Sequence, residues 1–155
     1  MRGIWLISAF NATMTGYHFT NHARQLLAAA QEESRRLRHP RVGTEHLLLA
    51  ISRDPGPTLA RVLTNLRVPP AQLAHTLDGM VVAGTHQDAD RPFADRLWTV
   101  VDMAMAEARQ EKAEALDSPH LLLGLLGEGK GIGAQVLQDC GITIEATRRE
   151  LAVDS

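Results

Sequence analysis

The chain has 155 residues, of which 45% are hydrophobic and 22% charged, and its formal net charge is −2. This balance is that of an ordinary globular domain, and the slight acidic excess argues against a general nucleic-acid binder, which would carry a basic surface. Aromatic residues contribute only 4% while alanine and leucine abound, which favours helices over sheets.

The first residues contain an apolar run from Ile4 to Phe10. This run is too short to span a membrane, and no clear small-residue cleavage site follows it, which disfavours a signal peptide. We expect residues 1–18 to be a flexible extension or the product of an over-extended gene start, with Met14 as the true initiator. The predicted domain therefore begins at Phe19.

Four helices are predicted in the first half of the domain. The first runs from about Thr20 to Arg38, because apolar residues recur three and four positions apart and Thr20 lies where an N-cap is expected. The second begins at Thr44, which is another candidate N-cap. The third begins near Pro57 and the fourth at Pro70, since proline is favoured in the first turn of a helix.

A shift of 74 residues aligns the second half of the sequence with the first half without a gap. Residues 19–78 and 93–152 share 12 identities in 60 positions, and the run His-Leu-Leu-Leu at 46–49 recurs at 120–123. Such a gapless duplication is typical of proteins built from repeated structural units.

The segment 83–92 between the two copies is polar, contains glycine and proline, and lacks an apolar period, so it is predicted to be a linker. Short helices cannot bury their apolar faces alone, whereas two packed copies can. We therefore predict an all-α fold in which two pseudo-symmetric four-helix repeats, residues 19–82 and 93–152, form one compact eight-helix bundle. In repeat 2 the helices should start near Ala94, Ser118, Ile132 and Ile144, with Ser118 as an N-cap and Pro119 just inside the helix.

A glycine-rich run from Gly124 to Gly131 approaches a nucleotide-binding loop in sequence. The residue after Lys130 is glycine, so the hydroxyl that would bind Mg²⁺ is missing, and a helix precedes the run where that loop needs a strand. The duplication instead predicts a helix–helix turn here. We expect no nucleotide and no other cofactor.

The histidines and the single cysteine show no catalytic or metal-binding pattern. His46 and His120 are equivalent in the two repeats, which favours a shared packing or hydrogen-bonding role, while His18 and His22 supply only two of the three or four ligands that zinc takes. Cys140 lies at an apolar position and is predicted to be core rather than a reactive thiol. One cysteine permits no internal disulfide, which fits the cytoplasm.

The segment Gly43-Thr44-Glu45-His46, together with Thr20, is the most informative local pattern. Helix starts present free N–H groups and the positive end of the helix dipole, which suit an anion such as phosphate. The carboxylate of Glu45 could hold a guanidinium with two hydrogen bonds. Either these residues form a site for a side chain that carries both a positive and a negative group, or they only cap and begin helices.

The same residues resemble the N-terminal repeat domain of Clp unfoldases. The resemblance lies in Phe19-Thr20 with Ala23, in Gly-Thr-Glu-His-Leu-Leu-Leu at 43–49, and in the later signature His-Leu-Leu-Leu-Gly-Leu at 120–125; it covers residues 19–152. In that family the module lies on top of an ATPase ring and receives substrates and adaptor proteins. The resemblance therefore implies a protein-binding module.

The ClpC branch of the family implies more, namely a pocket for phosphorylated arginine in each repeat. The threonine that precedes the first helix and the glutamate of the Gly-Thr-Glu-His motif take part in that pocket, and by position these are Thr20 and Glu45. Thr44, which precedes Glu45 in the motif, is the third residue that we expect at this site. In repeat 2, Ala94 and Pro119 replace the threonine and the glutamate. We therefore expect at most one such pocket, in repeat 1.

The sequence shows none of the ATPase motifs of a Clp unfoldase, so we expect a stand-alone, non-catalytic module. It should bind protein clients, including phosphoarginine-bearing ones, or adaptors, and should modulate a Clp unfoldase-protease as a cytoplasmic monomer that binds neither nucleic acid nor membrane. One alternative is a docking partner or decoy that binds the Clp ring or an adaptor through a helix face, without a small-ligand pocket. Another is a small helical enzyme that uses His46 or His120.

Overall fold

The computed structural model describes residues 18–88 and 90–153, and within these ranges every regular element is a helix. The eight helices are α1 (Asn21–Arg36), α2 (Thr44–Arg53), α3 (Gly56–Asn65), α4 (Pro70–Met80), α5 (Asp95–Glu111), α6 (Ser118–Glu128), α7 (Ile132–Asp139) and α8 (Ile144–Ala152). The predicted all-α class is confirmed. The predicted N-terminal extension lies outside the described residues, apart from His18.

The helix starts agree with the sequence pattern except at two caps. The hydroxyl of Thr20 accepts a hydrogen bond from the amide of Ala23 and caps α1 as predicted. Thr44, in contrast, is the first residue of α2 and not its cap, because the N-cap is Gly43. The N-cap of α6 is likewise Asp117, one residue before the predicted Ser118.

The core is centred on α2 and α6, the two helices that carry the repeated His-Leu-Leu-Leu run. Leu47, Leu48 and Leu49 are fully buried, and Leu121 and Leu122 occupy the equivalent positions with no exposed surface. Three consecutive leucines cannot share one face of a helix, so both helices must be enclosed on all sides. The other six helices cover them.

A pseudo-twofold relation connects the two repeats. The backbone of Thr20 donates to Leu116 O at 2.9 Å, and Ala94, which is the counterpart of Thr20, donates to Val42 O at the same distance. Each bond belongs to a short parallel β-bridge, Phe19 with Leu116 and Val42 with Phe93, and the 74-residue shift exchanges these two bridges.

The helix contacts between the repeats obey the same exchange. Three contacts each recur with the repeats exchanged. The contact of α1 with α6 corresponds to that of α5 with α2, and the contact of α2 with α7 corresponds to that of α6 with α3. The contact of α3 with α8 corresponds to that of α7 with α4. The pair α2 and α6 lies on the pseudo-axis. Residues in the left-handed conformation also recur at equivalent positions after helices. Arg38 and Lys112 have φ of 58° and 59°, and Arg67 and Gly141 have φ of 66° and 81°.

The glycine-rich run forms the turn between α6 and α7, as the duplication predicts. Gly129 ends α6 in the left-handed conformation with φ of 75°. The carboxylate of Glu128 accepts hydrogen bonds from the amides of Lys130 and Gly131 and from the guanidinium of Arg96. Burial alone would raise the pKa of Glu128, but these three donors hold it below its ordinary value.

None of the described helices is long and apolar enough to cross a membrane.

Candidate ligand-binding cavities

One cavity of about 670 Å³ opens where the start of α1 meets the start of α6, and we call it the acidic cavity. Its charged lining residues are Glu107 and Glu111 from α5, Asp117 from the turn before α6, and Arg148 from α8. Three carboxylates and one guanidinium give a formal charge of −2 with neutral histidines. Arg148 forms an ion pair with Glu107 and is therefore already engaged.

A second cavity of about 530 Å³ opens where the start of α5 meets the start of α2, and we call it the mixed cavity. It is lined by three cations, Arg41, Arg96 and Lys130, and by two carboxylates, Glu45 and Asp95. The formal charge is +1 with neutral histidines. The cavity thus contains both acids and bases, which suits a ligand that carries both signs of charge.

The two cavities are related by the same pseudo-twofold exchange as the helices. Under the 74-residue shift, seven lining residues of one cavity fall on seven lining residues of the other: Thr20 with Ala94, Thr58 with Ile132, Ala113 with His39, Ala115 with Arg41, Asp117 with Gly43, Pro119 with Glu45, and His120 with His46. Each cavity is therefore built from both repeats. Only the histidine is the same residue in both.

The structure does not bring the predicted site residues Thr20 and Glu45 together. Thr20 lines the acidic cavity and Glu45 lines the mixed cavity. The hydroxyl of Thr20 also donates to Asp117 Oδ1 of repeat 2 at 2.7 Å, so its proton is already used in a hydrogen bond within the protein. The sequence prediction grouped residues within one repeat, whereas the fold pairs each helix start with a loop of the other repeat.

Thr44 and Glu45 remain neighbours, but only Glu45 offers an open group. Thr44 is 3% exposed, and its hydroxyl accepts from the amide of Gly133 in repeat 2 at 3.1 Å. The carboxylate of Glu45 is half-buried and has no hydrogen bond or ion pair with the described residues. It lies over Gly43, where a Cβ atom would collide with it. Glu45 is thus the predicted residue that could contact a ligand directly.

The equivalent histidines have the hydrogen-bonding role that their repetition predicts. His46 Nδ1 accepts from the amide of Gly43 at 2.8 Å, and His120 Nδ1 accepts from the amide of Asp117 at 2.9 Å. Each ring thereby satisfies the residue that caps its own helix, and Nε2 must carry the proton. His46 Nε2 then donates to His39 Nδ1 at 2.7 Å, whereas His120 Nε2 donates to Glu111 at 2.9 Å.

His39, Glu45 and His46 bring one potential metal-ligand atom each to within 4.8 Å of one another. A metal ion on His46 Nε2 would require that nitrogen to lose its proton, and the neutral ring would then carry it on Nδ1, facing the amide of Gly43. Burial first, and then the nearby His39 and Arg36, lower the pKa of His46 to about 3, so the ring is neutral. The hydrogen bonding thus opposes metal binding here.

Cys140 packs against the edge of the core and is only partly buried. Burial raises the pKa of its thiol, and the adjacent carboxylate of Asp139 raises it further. The reactive thiolate form is therefore disfavoured, which agrees with a packing role.

The fold and its cavities define a class of protein, a duplicated helical module that presents a cleft at each of two equivalent junctions between its halves. The chain belongs to the Clp repeat (R) N-terminal domain family, which matches residues 18–92 and again residues 92–154. It is 32% identical over 133 residues to the negative regulator of genetic competence ClpC/MecB of Bacillus subtilis, and 31% identical over 133 residues to the chaperone protein ClpB of Oceanobacillus iheyensis. Each match covers 86% of this chain but only 16% of the relative.

Solved N-domains of ClpV have the same fold. The N-domain of ClpV from Vibrio cholerae superimposes with a TM-score of 0.77 at 17% identity, covering 95% of this chain and 87% of that one. A complex of a ClpV N-domain with a VipB peptide superimposes with a TM-score of 0.70 at 19% identity, covering 98% and 90%. At these identities the likeness establishes the shared fold.

Proposed function

We propose that this chain is a non-catalytic, cytoplasmic module that binds segments of other proteins, either clients or adaptors of Clp-type protein quality control. The observation that carries the proposal is the pair of open, charged cavities formed between the repeats of a Clp N-domain fold. The related ClpV N-domain in complex with a peptide supports the same class of ligand. Through such binding, a monomer of this module would modulate a Clp unfoldase-protease.

We further propose that the mixed cavity receives a phosphoarginine side chain of a client. The carboxylate of Glu45 would hold the guanidinium group, and the cationic side chains of Arg41 and Lys130 would hold the phosphate. No ion pair engages Glu45, Arg41 or Lys130 within the described residues, so none has to release a partner first. Thr44 would contribute by fixing the start of α2 against Gly133, whereas Thr20 lines the acidic cavity and would not contact this ligand.

Phosphoarginine titration of the isotope-labelled protein tests this site. We expect the amide signals of Glu45 and its neighbours at the start of α2 to shift in a saturable way. Glu45→Gln keeps the shape of the side chain but removes its charge, and should weaken binding about tenfold because a charge-assisted hydrogen bond is lost.

Glu145→Gln provides the matched control, because Glu145 also lies in the first turn of a helix but is exposed on α8. It should bind phosphoarginine like the wild type. If millimolar phosphoarginine shifts no amide near Glu45, the phosphoarginine site is wrong. If Clp ring subunits are then still retained equally by wild type and Glu45→Gln, the alternative of docking through a helix face is favoured.

A further inference from the structure

The two cavities share their construction but not their charge. At the matched positions, Arg41 of the mixed cavity becomes Ala115, and His39 becomes Ala113. The acidic cavity gains Asp117 where the mixed cavity has Gly43, and it reaches deeper along α5 to Glu107 and Glu111. The formal charge accordingly changes from +1 to −2 between two equivalent clefts of one molecule.

From this difference we infer that the acidic cavity is a pocket for an unmodified arginine or lysine side chain of a bound protein segment. The inference depends on the proposed function, since it names the chemistry that the second cavity of the same module would recognise. The cavity selects for a cation and, by the same charges, against a phosphorylated residue.

The acidic groups are placed to meet a cation at the mouth of the cavity. The side chain of Glu111 is 64% exposed, and only its Oε2 is engaged, by His120. The other oxygen of Glu111 accepts no hydrogen bond from the described residues. A guanidinium or ammonium group that reached it would gain a charge-assisted hydrogen bond while still in contact with water.

The wall of the acidic cavity suits the aliphatic part of a long cationic side chain. Ala113 and Ala115 line one part, and Leu123 and Leu151 line another. Arginine and lysine bury their methylene groups against such apolar surface while the charged end stays in a polar setting. The apolar wall and the acidic mouth together match a side chain with these two parts.

Among the described residues, the one cationic side chain that lines the acidic cavity, Arg148, is already occupied. Arg148 is engaged by Glu107, and Asp117 at the N-cap offsets the positive end of α6. A phosphoryl group, which carries a charge of about −1.5 to −2 at neutral pH, would therefore meet mainly carboxylates. In the mixed cavity the same group would meet Arg41 and Lys130, which form no ion pair with the described residues, and Arg96, which already pairs with Glu128.

The test uses three short glycine–serine peptides that differ only at the central residue, which is arginine, citrulline or phosphoarginine. Citrulline has nearly the shape of arginine but no charge. We expect the arginine peptide to shift the amides of Glu111 and Asp117, and to bind about tenfold more tightly than the citrulline peptide because a charged hydrogen bond is involved. The phosphoarginine peptide should instead shift amides around Glu45.

Two variants separate the pocket from the rest of the surface. Glu111→Gln should weaken binding of the arginine peptide about tenfold and leave the phosphoarginine peptide unaffected. Glu114→Gln is the matched control, because Glu114 is exposed nearby but does not line the cavity, and it should bind both peptides like the wild type.

Equal binding of the arginine and citrulline peptides, or shifts from the arginine peptide at the mixed cavity alone, would overturn the inference while the proposed function stands. Binding of none of the three peptides would reject the proposed peptide-binding function and this pocket with it. An arginine peptide that binds Glu111→Gln as tightly as the wild type would show that the contact lies elsewhere.

Discussion

His46 connects the start of α2 to the rest of repeat 1 through two hydrogen bonds, one from Gly43 and one to His39. Because a protonated Nδ1 can no longer accept, the first of these bonds requires the neutral ring. Its pKa of about 3 in the folded protein lies below the ordinary value of 6.5, so the unfolded chain takes up a proton that the folded protein excludes. The stabilising contribution of His46 is therefore complete above pH 6.5 and is lost as the pH falls below it.

We predict that His46→Gln makes the protein less sensitive to mild acid. Glutamine can also accept from the N-cap amide, but it does not titrate in this range. Between pH 6.5 and pH 5 the wild type should lose stability relative to this variant, by at most about 1.4 kcal/mol per pH unit. Urea denaturation at several pH values measures the difference.

His75→Gln is the control for that experiment, because His75 is exposed on α4. It should follow the pH dependence of the wild type. An unchanged pH dependence in His46→Gln would mean that His46 is not held neutral by its surroundings.

At the scale of helices, α7 approaches α2 so closely that a glycine is needed between them. A Cβ atom on Gly133 would lie 2.9 Å from Thr44 O and 3.2 Å from Leu125 Cδ2, and the first of these is backbone. Gly133→Ala should destabilise the protein by about 1–3 kcal/mol, as overpacking does in cores. The measurement is the free energy of unfolding in urea, followed by circular dichroism.

Gly79→Ala gives the opposite expectation within a helix of repeat 1. A Cβ atom on Gly79 meets nothing within 4 Å, and the residue is exposed near the end of α4. Alanine there should stabilise by about 0.5–1 kcal/mol, since it restricts the unfolded chain more than glycine does. If Gly133→Ala also stabilised the protein, helix propensity and not close packing would govern Gly133.

Helix starts were largely predictable from sequence because they depend on neighbouring residues. Pro70, Ile132 and Ile144 begin helices as the pattern indicates. Thr44 shows the limit of that approach. A threonine before an apolar run resembles a cap, but the hydroxyl of Thr44 accepts a hydrogen bond from the amide of Gly133, which is 89 residues away in the chain. Local patterns carry no information about such a partner.

At the scale of the whole molecule, the duplication predicted the eight-helix bundle but not how its sites are assembled. The family resemblance assigned Thr20 and Glu45 to one pocket in repeat 1. The fold instead crosses the repeats, so that Thr20 faces Asp117 and Glu45 faces the start of α5. Each of the two β-bridges joins a residue of one repeat to a residue of the other. These partners lie far apart in the sequence, so no periodic pattern in the sequence reveals them.

The crossed packing also predicts that the two repeats unfold as one cooperative unit. Leu48 is fully buried in α2, which contacts α6 along the pseudo-axis, so Leu48→Ala should cost about 2–5 kcal/mol. Trp98 lies in α5 of repeat 2 and reports on that repeat by fluorescence in a Trp5→Phe background, since the chain has two tryptophans. Leu48→Ala should shift the Trp98 transition and the circular dichroism transition to the same lower urea concentration. A Trp98 transition that stays in place would show that repeat 2 is stable without repeat 1, which would contradict cavities that depend on both.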